Sequence, residues 1–150
     1  MKNIELVKFH HSHAIELATT CLEYGGLPLV PEWLKDSAIQ SGMDDNAISG
    51  FCDGKLVGCG GVREFWPGVG EAWAFFSPEV RLHIRSALVV GRAIIERVAT
   101  NGNYRRIQAT ARVDFPAAAS YLEHLGFEVE SVLQSYSHDH KDMFMYARIF

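Results

Sequence analysis

A short helix that ends at a glycine and passes directly into a strand most constrains how this sequence can fold. Ala118, Leu122 and Leu125 recur at helical spacing, which predicts a helix with one buried face. Gly126 suits the position just after a helix end, where a positive φ disfavours any residue with a Cβ. Phe127 begins an apolar-polar alternation of strand period. The helix and the strand are therefore expected to pack on one core.

The first half of the chain predicts one strand, two helices and then three strands. Asp53-Gly54 is a strong hairpin-turn signal and Pro67-Gly68 a second turn, so the strands that they separate should form an antiparallel meander. The predicted elements are a strand over 4–9, a helix over 10–24 with Ser12 as its N-cap, a helix over 31–40 with Pro31 at its first position, and strands over 47–52, 55–65 and 70–76.

The second half predicts a long helix, then a strand, a short helix and a final hairpin. Ser77-Pro78-Glu79 is typical of a helix start, no breaker appears from Val80 to Gly91, and Asn101-Gly102 ends the helix. A long helix before a strand favours a central strand that is parallel to the next element. The remaining elements are a strand over 104–113, a helix from Asp114, and strands over 127–136 and 143–150. The order βααβββαβαββ predicts an α+β (mixed α/β) single domain over 1–150, with a mostly antiparallel sheet of about seven strands and helices on both faces.

This order resembles the GNAT superfamily of acyl-CoA-dependent N-acyltransferases over essentially the whole chain. The segment from Ala118 to Phe127, with its Leu122-Glu123-His124-Leu125-Gly126-Phe127 ending, resembles that superfamily's penultimate-helix motif, and Ser77-Pro78-Glu79-x-Arg81 resembles its strand-to-helix junction. The resemblance implies transfer of an acetyl group from acetyl-CoA to an amine, which attacks the thioester directly. The acceptor would be a small-molecule or peptide amine.

The resemblance also implies roles for residues near the third meander strand. Glu71 would be the base that removes a proton from the ammonium, with Glu64 as a weaker second choice. Tyr121 stands one residue before the position where many members carry the acid for the leaving thiolate, which here is Leu122. Backbone amides near Phe75 and Phe76 would hold the pantetheine and the oxyanion. Ordinary strand or half-buried packing roles remain open for Glu71 and Tyr121.

The segment that corresponds to the family's phosphate-binding loop departs from the family pattern. Residues 82–86 contain no glycine, and Leu82 and Ile84 place side chains where bare amides are expected, which suggests that the loop is absorbed into the helix. Two interpretations follow. Either Arg81, Arg85 and Ser86 bind the phosphates, with Arg92 on the same face, or the face is simply solvated. The second fits an alternative function, that of an inactive GNAT-like binding or assembly protein of a phage-encoded, virion-associated kind, with a homodimer as a further option.

Composition excludes several other classes. A net charge of −4 gives no electrostatic footprint for nucleic acid, and no apolar run is long enough for a membrane span. Three cysteines without CxxC spacing favour reduced thiols and a cytoplasmic location. Cys59 lies mid-strand without a paired base, so a structural thiol is expected. The histidines near residues 10–13 and 138–140 could bind a metal only if the two segments met, and no metal site is predicted.

Overall fold

The computed structural model describes residues 3–43 and 45–150 and has the element order that the sequence predicts. None of the described helices is long and apolar enough to cross a bilayer. The strands are β1 (Glu5–Lys8), β2 (Ala47–Cys52), β3 (Lys55–Trp66), β4 (Val69–Phe76), β5 (Arg106–Arg112), β6 (Glu128–Leu133) and β7 (Met143–Ile149), and the helices are α1 (His11–Ala18), α2 (Glu32–Ser41), α3 (Ile84–Asn101) and α4 (Pro116–His124).

All seven strands belong to one sheet, in the order β1-β2-β3-β4-β5-β7-β6. Every neighbouring pair is antiparallel except β4 and β5, so the prediction of a mostly antiparallel sheet is confirmed. β5 is central, as predicted, but it is parallel to the preceding strand β4 and antiparallel to β7, so the prediction that it is parallel to the next element was wrong. The parallel pairing covers only three residue pairs, from Val69 opposite Arg106 to Glu71 opposite Gln108. The sheet therefore consists of two antiparallel halves joined by one short parallel ladder.

Helices cover both faces of the sheet, as predicted. On one face, residues of α1 and α2 such as Leu17 and Ala38 pack with Cys59 and Trp73. On the other face, α3 and α4 contribute Ile95 and Leu122 to a core that also contains strand residues. This second core is centred on β5, where Ile107 is fully buried.

The junction between α4 and β6 agrees with the sequence prediction in detail. Gly126 has φ +90°, and its N–H donates to the carbonyl of Glu123 while the N–H of Phe127 donates to the carbonyl of Leu122. These two bonds are those of a Schellman motif, which satisfies carbonyls that a helix end otherwise leaves free. Leu122 and Leu125 are buried beneath the junction.

Helix α1 is shorter than predicted, because it ends at Ala18 rather than near residue 24. The hydroxyls of Thr19 and Thr20 donate back to the carbonyls of Glu16 and Leu17, which offers the backbone an alternative to further helix. The N-cap is His10, whose side chain accepts the N–H of Ser12, so the prediction of Ser12 as the cap was wrong. Residues 19–30 therefore form a loop that crosses the carboxyl ends of β4 and β5.

The predicted continuous helix from Pro78 is also wrong. Pro78–Leu82 forms a 3₁₀ turn, and His83 interrupts it with φ −128° and ψ 21° before α3 begins at Ile84. The hypothesis that the loop over 82–86 is absorbed into the helix therefore holds for Ile84, Arg85 and Ser86, which begin α3, and fails for Leu82 and His83. Leu82 points to solvent with 82% of its surface exposed, so its side chain does not seal the junction.

The glycines of β3 permit close approach of neighbouring chain segments, one of the usual reasons for glycine inside a strand. A Cβ on Gly61 would overlap the carbonyl oxygen of Asn46 and lie 2.7 Å from the Cα of Ala47. A Cβ on Gly58 would lie 2.6 Å from the ring of Phe76. These contacts bring β2, β3 and the end of β4 close together.

Candidate active site

The gap between β4 and β5 opens where their pairing ends, after Glu71 and Gln108. Beyond that point β4 remains paired with β3 as far as Phe76, while β5 remains paired with β7 as far as Arg112. The two strands are therefore held by different halves of the sheet and diverge toward their carboxyl ends. Crevices at the carboxyl ends of parallel strands are common ligand sites.

Two cavities open from this gap, one on each face of the sheet. The larger cavity has a volume of about 360 Å³ and lies against α3 and α4. The smaller cavity has a volume of about 190 Å³ and lies against α2. The residues that line both cavities are Glu23, Ala72, Trp73, Ala74 and Thr110. The two cavities thus meet in the gap between the strands, under the loop that follows α1.

Glu23 is, among the described residues, the one carboxylic acid that lines both cavities. Its Oε1 is buried and has no hydrogen-bond partner in the described part of the chain. Burial raises the pKa of Glu23, opposed by a hydrogen bond from the backbone of Arg112 and by the charge of that arginine. A carboxylate whose pKa is raised binds a proton more readily near neutral pH, which suits a general base.

Glu71, the base implied by the resemblance, lines the smaller cavity. Arg63 Nη2 donates to Glu71 Oε1 at 3.0 Å, and Arg63 Nη1 donates to Ser37 Oγ at 2.5 Å. Both members of the ion pair are mostly buried. Glu64, the weaker candidate for the base, follows Arg63 on β3. It is exposed and lines neither cavity.

Tyr121 lines the larger cavity from α4, and its hydroxyl donates to the carbonyl of Ala87 in α3 at 3.0 Å. Its ring makes an edge contact with Phe76, with the ring centroids 5.3 Å apart. Burial raises the pKa of Tyr121 to about 12. The phenol therefore keeps its proton at neutral pH, beside the cavity.

The start of α3 presents backbone donors beside the larger cavity. The first intrahelical bond runs from the N–H of Ala87 to the carbonyl of His83, so the amides of Ile84, Arg85 and Ser86 have no helical acceptor. Arg81 and Ile84 line the cavity at this point. A helix N-terminus with bare amides and nearby guanidinium groups favours a phosphate.

The structure places the three arginines that were predicted to share a helix face, Arg81, Arg85 and Arg92, in different surroundings. Arg81 and Arg85 are exposed at the start of α3. Arg92 donates to the carbonyl of His124 at 2.5 Å and so is engaged with the end of α4. Only the first two therefore remain available to a ligand at the α3 N-terminus.

Phe75 and Phe76 occupy opposite sides of the gap. Phe75 lines the smaller cavity and Phe76 the larger one. The backbone N–H of Phe76 faces the thiol of Cys21, whose pKa is raised by burial. Because a neutral thiol is a weak acceptor, this amide is available to a stronger one.

The other residues singled out in the sequence lie outside the gap. His10 and His13 cap α1, and His13 contacts Ser49 Oγ at 2.7 Å. His138 packs instead against Tyr24 and Trp33. Within residues 3–43 and 45–150, no three His, Cys, Asp or Glu side chains are placed to share a metal ion. Burial raises the pKa of Cys59, which disfavours its reactive thiolate.

Comparison with known proteins identifies the architecture. No protein-family model and no curated protein sequence matches the chain. Solved structures do match it. One is a GNAT-family acetyltransferase from Bacillus anthracis, with a TM-score of 0.71 and 16% identity over 99% of this chain and 98% of that one. Another is Ard1 from Thermoplasma volcanium, with a TM-score of 0.74 and 15% identity over 97% of each chain. The microcin C7 self-immunity acetyltransferase MccE, solved with acetyl-CoA and AMP, matches with a TM-score of 0.72 and 14% identity over 98% of this chain and 92% of that one. The chain has the GNAT fold.

The resemblance drawn from the sequence is therefore confirmed for the fold. None of the three neighbours is described as a phage or assembly protein, and each is compared over nearly its whole length. At these identities the likeness concerns the architecture alone.

Sequence reasoning missed Glu23 within this GNAT fold. It placed Glu23 near the end of a long first helix, where an acid is usually solvated. Two signals were present: Glu23 follows the apolar pair Cys21-Leu22, and Gly25-Gly26 comes directly after Tyr24. An acid inside an apolar segment beside two turn glycines is compatible with a loop that carries a functional group.

Proposed function

We propose that this protein is an acyl-CoA-dependent N-acyltransferase that transfers an acetyl group to a primary amine. The observation that carries the proposal is the position of Glu23, which lines both cavities where they meet. A reaction between two substrates needs such a meeting point, with a proton acceptor beside it. The three buried, unpaired thiols fit a reducing, cytoplasmic setting.

The larger cavity and the α3 N-terminus suit acetyl-CoA, whose bound form supplies the thioester that the amine attacks. The amides of Ile84, Arg85 and Ser86 would face the diphosphate, together with the guanidinium groups of Arg81 and Arg85. The backbone amide of Phe76 would face the pantetheine, whereas the amide of Phe75 points toward Cys59 in the β3–β4 ladder. The apolar walls of the larger cavity would exclude water from the thioester.

Two proton transfers are assigned to side chains that line the cavities. An ammonium group has no lone pair, so the amine has to lose a proton before it attacks, and Glu23 accepts that proton. Glu71 in the smaller cavity is the alternative base, but Arg63 already neutralises its charge. Tyr121 holds a proton beside the larger cavity and supplies it to the departing sulfur, after it releases the carbonyl of Ala87.

Titration calorimetry with acetyl-CoA tests the first part of the proposal. We expect a dissociation constant of roughly 1–100 μM, equivalent to about −8 to −5.5 kcal/mol. The double variant Arg81→Ala, Arg85→Ala should weaken binding about tenfold or more, because each charge-assisted bond to phosphate is worth about 1.5 kcal/mol or more. Absence of binding by the unmodified protein at several hundred micromolar acetyl-CoA would remove the enzyme assignment.

A matched pair of variants then tests the base. Glu23→Gln should lower kcat by about 10²–10⁴, the usual contribution of general base catalysis, with an unchanged acetyl-CoA affinity. Because the carboxyl has to be ionised to accept a proton, the wild-type rate should rise with pH through its raised pKa, and the variant should lose this rise. Glu71→Gln serves as the comparison. If Glu71→Gln alone gave the large loss of kcat, Glu71 rather than Glu23 would be the base.

A further inference from the structure

The carboxyl end of β5 carries a buried arginine, Arg112, beside the gap. Arg112 is 7% exposed. Its guanidinium is bound on both sides, because Nε and Nη2 donate to the two carboxylate oxygens of Asp114 at 2.9 and 3.1 Å, and Nη1 donates to Asp139 at 3.0 Å. A buried charge is costly unless it is paired, and forked bonds to carboxylates fix its geometry. The two aspartates therefore hold the guanidinium in one position.

The main-chain N–H of Arg112 points into the gap. Residues along an antiparallel strand alternate between those that bond to one neighbouring strand and those that face the other way. The N–H of Val113 donates to Asp142, next to β7, so that of Arg112 points toward β4. The N–H of Arg106, on the same side of β5, donates to Gly68, next to β4. The ladder with β4 ends before Arg112, so the ladder does not use this N–H.

Glu23 is the side chain on which Arg112 acts at this point. Burial raises the pKa of the Glu23 carboxyl, and the main-chain N–H and the guanidinium charge of Arg112 both oppose this rise. The next residue, Tyr24, presents its ring to the same guanidinium, whose Cζ lies 5.7 Å from the ring centroid. Arg112 thus acts on two consecutive residues of the loop that follows α1.

The same guanidinium is connected to the hairpin loop between β6 and β7. Asp139 belongs to this loop and accepts a hydrogen bond from Arg112. His138, next to it, packs on the ring of Tyr24 with ring centroids 5.6 Å apart. A chain of contacts therefore runs from the hairpin loop through Arg112 to the loop that carries Glu23.

We propose, on the basis of the N-acyltransferase function above, that Arg112 is the positioning residue for the general base. Its guanidinium, held by Asp114 and Asp139, fixes the loop that carries Glu23 at the open end of the gap. Its N–H and its positive charge favour the ionised carboxyl, which is the form that accepts a proton from the amine. Asp114 acts in the opposite direction, because its negative charge favours the protonated carboxyl.

The other titratable groups around Glu23 have less influence on its charge. Burial raises the pKa of Cys21 and of Tyr24, so both are neutral near pH 7. Glu71, on β4, is neutralised by Arg63. The charged and titratable groups on the elements around Glu23 are Cys21, Tyr24, Arg63, Glu71, Arg81, Arg112, Asp114 and Asp139. Substitution of Arg112 and of Asp114 should therefore move the titration of Glu23 in opposite directions.

Titration of Glu23 by carbon-13 NMR, in protein labelled at the glutamate carboxyl, tests this assignment. The resonance is identified by its loss in Glu23→Gln. Arg112→Gln should raise the measured pKa by about one unit, since a nearby opposite charge shifts a carboxyl by about 1–3 units. Asp114→Asn should lower it by about half a unit, because solvent screens this carboxylate in part. Arg106→Gln, on the same strand and paired with Glu130, is the matched control and should leave it unchanged.

The rate of acetyl transfer gives a second readout. The rising limb of the kcat–pH profile should move to higher pH in Arg112→Gln and to lower pH in Asp114→Asn, with an unchanged acetyl-CoA affinity. A lower kcat with an unmoved limb is the result of a structural role alone and would overturn the inference. Because the Asp114 side chain is 54% exposed, Asp114→Asn should fold and carry the test even if Arg112→Gln does not fold.

Failure of the inference and failure of the proposed function are distinguishable. A pKa of Glu23 that is unchanged by Asp114→Asn, or that moves in the same direction in both variants, would overturn the role of Arg112, while acetyl transfer by the wild type would leave the transferase standing. Opposite pKa shifts without matching shifts of the rate limb would show that another group is the base, and would overturn the inference. If acetyl-CoA did not bind, the transferase would fall, and the NMR titration would still decide whether Arg112 controls the proton on Glu23.

Discussion

The contact between Gly91 and Tyr121 allows a test of how α3 and α4 form the wall of the larger cavity. A Cβ on Gly91 would overlap the Tyr121 hydroxyl oxygen and lie 3.3 Å from Leu125 Cδ2. Gly91→Ala gains about 0.5–1 kcal/mol from helix propensity. It also displaces a buried hydroxyl from its bond to Ala87, which costs about 1–3 kcal/mol. We expect a net destabilisation of about 1–2 kcal/mol.

Removing the hydroxyl should reverse the effect of the alanine. Tyr121→Phe alone loses one hydrogen bond and about 0.5–1.5 kcal/mol. In that background the Cβ on residue 91 fills the space of the missing oxygen, so Gly91→Ala should now be neutral or stabilising. The double variant should therefore be more stable than the sum of the single variants by at least about 1 kcal/mol, as adjacent residues commonly show.

Urea denaturation of the four proteins, followed by far-ultraviolet circular dichroism, measures this coupling. In a chain of this size 1 kcal/mol corresponds to about 2–4 °C in Tm, so thermal melts give an independent check. Additivity of the two changes within about 0.5 kcal/mol would refute the argument. The same proteins report on catalysis: if Tyr121 donates a proton to sulfur, Tyr121→Phe and the double variant both lose kcat, whereas unchanged rates would leave Tyr121 a packing role only.

Three further predictions concern stability. Gly61→Ala should destabilise by about 1–3 kcal/mol in urea denaturation, because the new Cβ meets the backbone of Asn46, which cannot rotate away; a loss below about 0.5 kcal/mol would contradict the close approach. Glu23→Gln should raise Tm at neutral pH but not near pH 3. Between the ordinary pKa near 4.5 and the raised pKa of the folded state, the unfolded wild-type chain has released a proton that the folded chain keeps. The free energy of unfolding of the wild type therefore falls as the pH rises through this range. An equal Tm difference at every pH would contradict the burial of the carboxyl. Leu82→Ser should change stability by less than about 0.5 kcal/mol and leave acetyl-CoA affinity unaltered, and a large effect on either would show that this side chain is not simply solvated.

The order of the elements could be predicted from sequence because it depends on local signals. The turns at Asp53-Gly54 and Pro67-Gly68 and the glycine after α4 each restrict the backbone within a few residues. Their effects agree with the hydrophobic periodicity on both sides. The fold prediction was therefore robust even where element ends differed by several residues.

The site could be predicted only in part, because it depends on which strands separate. The gap arises from the end of the β4–β5 pairing, which no local pattern around Glu71 or Gln108 specifies. The early end of α1 depends on threonine hydroxyls that compete with the helix, and this placed Glu23 wrongly. The break at His83 has no glycine or proline to mark it. The end of α1 thus depends on short-range hydroxyl bonds, whereas the gap depends on long-range strand pairing.

The short parallel pairing of β4 and β5 has a consequence for how this protein avoids aggregation. Free backbone groups along a strand normally invite another polypeptide to add itself to the sheet. Here the unpaired edges of β4 and β5 face one another inside a crevice that α3, α4 and the loop after α1 cover. Because these edges are covered, another sheet cannot pair with them, while the crevice remains open to a small ligand, so recognition and protection from aggregation follow from one geometric feature.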